Sequence, residues 1–218
     1  MKVKQVNISG SETSVEIDLF SDLAQKISKD QKAQIKSEVG DYLLEQTLLA
    51  VSEEKSPVSG GAWKKTLSKE YAKRKMKDVG NKKADLQNTG ELLDELSTVE
   101  TSNGIKIGVF GERAGAADGH NNLSGKSILP ERKFLPGEGQ SYKQNIEREV
   151  NRIISDILAE GQDQNLKEIF ADVTTKADMK EALQEIFGDL SPAELRLAAF
   201  RNKNVLDVIE EDDLLDLL

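Results

Sequence analysis

At 218 residues and 24.0 kDa the chain exceeds the usual size of one domain, and it accommodates a main domain plus an appendage rather than two full domains. The absence of cysteine excludes disulfides, thiolate metal sites and thiol nucleophiles, and 30 Lys and Arg against 39 Asp and Glu leave a net charge of -9, which argues against a surface given over to nucleic acid. With 37% hydrophobic, 32% charged and 5% aromatic residues and a mean hydropathy of -0.51, the composition is helix-leaning, and with no apolar leader and no apolar run of about 18 residues it predicts a water-soluble protein.

The opening residues predict a short β-ribbon: Val3, Val6 and Ile8, then Val15, Ile17 and Leu19, flank a turn at Gly10. From Ser21 the period changes to that of a helix over about 22–54, with Ile35, Val39, Tyr42, Leu43, Leu49 and Ala50 on one face. Pro57 and the Gly60-Gly61 pair end it in a loop expected to be mobile. Beyond Trp63 the segment TLSKEYAKRKMKDVG predicts a short basic helix attached at the surface, since Leu67, Tyr71 and Val79 are too sparse for a full apolar stripe. A second short helix is expected at 90–96. Val99 and Thr101, then Asn103-Gly104, then Ile105, Ile107 and Val109 predict a β-hairpin with a type I′ turn. Residues 111–140 show no period and predict a long loop. Tyr142, Ile146, Val150, Ile153, Ile154, Ile157 and Leu158 then mark a helix that closes the core.

The fold class predicted is α+β: long helices on a small antiparallel sheet with a β-hairpin over 1–160, followed by an acidic helical appendage over 161–218. Within that appendage Thr175 with Asp178, and Ser191-Pro192 with Glu194, are helix starts, and Phe170, Leu183, Ile186, Phe187, Leu195, Leu197 and Phe200 supply a small core. Charge divides the same way. Residues 161–218 hold 14 acids and 6 bases, so they carry -8 of the -9, while residues 55–83 hold 10 bases and 2 acids. The ending VLDVIEEDDLLDLL mixes acids with apolar residues and suits either a partner groove or its own appendage.

A catalytic constellation is missing from this pattern. His120 is the single histidine and has no second ligand at metal spacing, Asn121 and Asn122 beside it do not complete a nuclease motif, and no phosphate-binding glycine loop with its lysine occurs. The expectation is a non-enzyme without cofactor or metal. Two surfaces carry interaction chemistry. In PERKFLPG the prolines fix an extended segment that offers Arg132 as a forked donor and Phe134 and Leu135 as apolar anchors. In the basic segment Trp63, Lys64, Lys65, Lys69, Lys73, Arg74, Lys75 and Lys77 combine charge with an aromatic, a surface for acidic partners or for a nucleic-acid backbone.

The order of the parts carries a resemblance. An N-terminal helix, a loop to Trp63 and Leu67, the basic YAKRK at 71–75, LQNTGELLDEL at 86–96, the strand IKIGVF, the GHNN loop and LPERKFLPG at 129–137 follow one another. Over about residues 21–158 this resembles the phage virion-morphogenesis family of tail-completion, neck and head-tail joining proteins. Leu86, Thr89, Gly90 and Leu92 match its L-x-x-T-G-x-L element, and Pro130, Arg132, Phe134 and Leu135 its P-x-R-x-F-L element. The chain departs from the pattern at Ala116-Ala117, where an aromatic-Ala pair is usual, and in its acidic appendage. The resemblance implies a structural virion protein of the neck or upper tail, made in the host cytoplasm and assembled as a homo-oligomeric ring of six or twelve copies. Its implied neighbours are the tail terminator or tail tube and the head-closure or portal-side proteins, with DNA passing through the ring. The alternative is a nucleic-acid-binding accessory module using the basic 55–83 segment.

Overall fold

The computed structural model describes residues 3–21, 23, 27–63, 67–80, 82–83, 85–86, 91–127, 129–171, 173, 175–206 and 209. Four strands, β1 (Val3–Ile8), β2 (Glu12–Asp18), β3 (Leu96–Glu100) and β4 (Gly104–Phe110), form one antiparallel sheet in the order β1-β2-β4-β3. The α+β class holds: helices pack on this sheet, among them α1 (Lys29–Ser52) on β3 and β4. Alternation sets the two faces. Thr13, Val15 and Ile17 of β2 stand in register with Val109, Ile107 and Ile105 of β4, and all six are fully or almost fully buried. The opposite face carries Glu12, Glu16 and Lys106, with Lys106 Nζ 3.2 Å from Glu12.

The hairpin turn differs from the one expected. Glu100 pairs with Ile105 and the Thr101 N–H donates to the Gly104 carbonyl at 2.9 Å, so the loop is Ser102-Asn103, and neither residue has the positive φ of a type I′ turn. Gly104 is needed instead for close approach, because a Cβ there would lie 2.0 Å from the Ile17 carbonyl oxygen.

Helix α1 starts later than its apolar period suggests. Ser28 and Gln31 form a capping box, each side chain receiving the other's backbone N–H at 3.1 Å, which fixes the first turn. Leu49, expected on the buried face, is exposed, while Thr47 and Val51 are buried there. Beyond Ser52 the chain closes on itself rather than forming an open loop: Lys55 bridges Ala62, and the Ser56 N–H donates to the Gly61 carbonyl at 2.9 Å. Basic helix α2 (Lys69–Val79) begins at Ser68, whose hydroxyl accepts from the Tyr71 N–H, and ends at Gly80 in the left-handed conformation. Helix α3 is the single turn Glu91–Asp94, shorter than the helix expected at 90–96 because Leu96 is already in β3.

The stretch 111–140 is not one loop. It contains α4 (Ala114–Asn121), whose Ala114, Ala117 and Asn121 are buried, and the Thr13 hydroxyl of β2 donates to the Ala114 carbonyl at 2.7 Å. Two glycines and no large apolar residue hide this helix from periodicity; small side chains let it lie close on β2 and β4.

Helix α5 (Gln144–Phe170) follows Tyr142, which is buried beside Thr47 of α1. It runs through Gly161, where the appendage was expected to begin. A helical glycine costs about 1 kcal/mol, and the burial of Ile157, Leu158 and Leu166 on either side of it offsets that cost. The chain divides into two compact units, Met1–Ile154 and Ser155–Leu218, so the division falls inside α5.

The second unit contains the rest of α5, α6 (Lys176–Phe187), α7 (Pro192–Arg201) and α8 (Lys203–Leu206). Thr175 caps α6 reciprocally with Asp178, and the Ser191 N–H donates to the Glu194 carboxylate at 3.0 Å, as the sequence predicts. Leu166, Met179, Leu183, Leu195, Ala199, Val205 and Ile209 form its core, while Leu197, expected inside, is exposed. The side chain of Phe200 lies outside the described residues. No helix among the described residues is long and apolar enough to cross a membrane.

Candidate interaction surfaces

Two surfaces of the first unit hold the residues singled out from the sequence. The first is an open cleft of about 640 Å³ between the 56–63 turn and the 129–133 segment. Val58, Ala62 and Trp63 stand on one side, and Leu129, Pro130 and Lys133 on the other. The turn is held by the buried Ser56, whose hydroxyl accepts from the Val58 and Ser59 N–H groups at 3.2 and 3.3 Å. Trp63 is anchored by its N–H to the Glu54 carbonyl at 3.0 Å, and its indole N–H is buried with no acceptor among the described residues. Trp63 is half-buried and lines the cleft.

Arg132, Phe134 and Leu135 are placed otherwise than expected. Phe134 and Leu135 are fully buried and Arg132 is 8% exposed, so the apolar pair is part of the chain's own core and not a docking anchor. The cause is Asn121. Its side-chain oxygen accepts from the Phe134 and Leu135 N–H groups at 2.8 and 2.6 Å, and its amide donates to the Ala117 carbonyl at 2.9 Å. One residue earlier the His120 carbonyl accepts from the Arg132 N–H at 2.9 Å. The GHNN and PERKFL motifs are thus two halves of one joint, which draws Phe134 and Leu135 inward. In the sequence Asn121 reads only as an incomplete nuclease motif beside His120, because the helix it ends, α4, leaves no apolar period.

Burial strongly perturbs the groups around this joint. Desolvation, and then the charge of Arg132, push the His120 imidazole down to about 4, while a hydrogen bond to the Pro130 backbone pulls the other way. The His120 imidazole is therefore neutral at pH 7, with Nδ1 buried and unpartnered among the described residues. Desolvation also lowers the pKa of Arg132, opposed by the nearby Tyr71 and Glu54, and its Nε has no partner among the described residues.

The second surface is α2. Lys69, Lys73, Arg74 and Lys77 are exposed, and the Arg74 guanidinium stands 4.9 Å from the Tyr71 ring centre. Lys75 does not belong with them: it is 2% exposed, pairs with the buried Asp85, and donates to the Lys83 carbonyl at 2.6 Å. Its role is to fasten α2 to the segment that follows. Lys64 and Lys65 lie outside the described residues, as do Thr89 and Gly90.

No protein-family model, no curated protein and no solved structure matches the chain.

Proposed function

We propose that the chain is a structural, non-enzymatic component of a phage virion that acts at the head-tail junction as a neck or tail-completion protein and assembles as a homo-oligomeric ring. One observation carries this reading beyond the order of the motifs. GHNN and PERKFL, separated in sequence, meet in the side-chain and backbone bonds of Asn121 and His120, so their occurrence together has a physical cause. Motifs that depend on each other in the fold are a stronger token of family than motifs that match singly. An α+β core, whose sheet leaves one face to polar residues, whose loops frame a cleft and whose helix α2 carries a basic stripe, supplies the different contact patches that a closed ring requires. Native mass spectrometry of the pure protein should show closed multimers, or a monomer that multimerises on purified tail tubes. A protein that stays monomeric and binds neither tails nor heads would refute the proposal.

A further inference from the structure

We propose that the lysine stripe of α2, formed by Lys69, Lys73 and Lys77, is a docking surface for the acidic segment 210–218, just beyond the buried Ile209, of a second copy of this chain. The inference rests on the ring reading, because a head-to-tail ring requires each copy to carry two different patches that complement each other.

The stripe follows from helix geometry. Positions i, i+4 and i+8 share one face, so the three side chains are spread over about 12 Å of helix axis. All three are exposed, and none forms an ion pair among the described residues. Met76, three residues beyond Lys73, lies on the same side and is 48% exposed, an apolar spot beside a row of charge. On another side of the helix the Lys75–Asp85 pair fixes which face is turned outward.

Segment 210–218, EEDDLLDLL, has the matching composition: five acids, no base, and leucines among them. Its carboxylates complement the ammonium groups, and its leucines offer Met76 an apolar contact that a phosphate backbone lacks. Three lysines also make a weak nucleic-acid surface, releasing about three counterions on a chain whose net charge of -9 repels phosphate.

Sedimentation velocity on the full chain tests the pairing. The native protein should self-associate at about 50 mM salt and dissociate at about 500 mM, since exposed charge pairs are screened. The K69E/K73E/K77E variant and the E210K/E211K/D212K/D213K variant should each associate about tenfold more weakly or worse, and an equimolar mixture of the two should restore association, because reversed patches complement one another. Circular dichroism melts of the lysine variant should overlay that of the native chain, as every altered lysine is exposed. A native protein that is monomeric at low salt, or a mixture that fails to recover, overturns the docking. Undiminished association of the lysine variant also overturns it while leaving the ring intact, whereas a protein that neither self-associates nor binds tails removes the ring as well. Binding of a single-stranded 20-mer that is lost in the lysine variant, without any self-association, would assign the stripe to nucleic acid instead.

Discussion

Asn121 shows how much one side chain can decide. It satisfies two buried backbone donors of the 131–136 segment and a carbonyl of its own helix. Asn121→Ala leaves those donors buried without an acceptor and should cost about 2–4 kcal/mol, measured as a shift in the urea unfolding midpoint. Phe134→Ala should cost about 3–5 kcal/mol in the same assay, because the ring is fully buried and its removal leaves a cavity. An effect on assembly with no loss of monomer stability would contradict that placement. At His120 the sign of the pH dependence follows from the depressed pKa. The folded imidazole, at about 4, refuses a proton that the unfolded chain accepts below 6.5. Stability is therefore complete above the unfolded value and lost as pH falls through this window, by up to roughly 3 kcal/mol. In His120→Gln the fall in unfolding midpoint between pH 7 and pH 4.5 should be shallower than in the native chain. Equal slopes would show that His120 is not the group responsible.

At the scale of elements, the contacts that hold strands and helices in place are short range and specific. Gly104 and Gly108 lie where β4 approaches β2, and a Cβ on Gly108 would meet the Ser14 Cα at 2.4 Å. Gly104→Ala and Gly108→Ala should each destabilise the sheet by about 2 kcal/mol or more. Gly10→Ala, in the open β1–β2 turn with nothing within 4 Å of the new methyl, should be neutral or stabilising by up to about 1 kcal/mol. Thermal melts of the three variants separate a requirement for space from one for chain freedom. Helix α2 is fastened by a buried charge pair, so Lys75→Met should cost about 3–5 kcal/mol by leaving Asp85 without that partner in a buried site, and the K75M/D85L double variant should recover most of it. Recovery would identify the pair as a fastening. Its failure would point to the Lys75 bond with the Lys83 carbonyl as the larger contribution.

For the whole molecule, the division into Met1–Ile154 and Ser155–Leu218 predicts that the first unit folds without most of the second. A chain stopped after Glu160 retains Ile146, Val150 and Ile154, the residues through which α5 contributes to the first unit's core. It should melt cooperatively and remain soluble, yet assemble poorly because segment 210–218 is gone. Aggregation or a non-cooperative melt would show that the two units are one folding unit.

The features legible in the chain alone are local or periodic. The β1–β2 ribbon follows from alternating β-branched residues, the 144–158 stripe of α5 from steps of three and four, and the starts of α6 and α7 from capping residues, all of which act over a few positions. The opposite distribution of charge between 55–83 and 161–218 was likewise plain, since charge needs no fold to be counted. The start of α1 at the Ser28–Gln31 box was present but overridden by a looser period. Tertiary structure alone decided the rest. Helix α4 has too many small residues to announce itself and exists because Ala114 and Ala117 fit against the sheet. Phe134 and Leu135 read as exposed anchors until Asn121, 13 residues back from Phe134, turns their backbone inward. Lys75 looks like its neighbours on α2 until Asp85, ten residues on, removes it from the surface. Each of these outcomes depends on a partner outside the local window, and a pairing across the fold leaves no period in the chain.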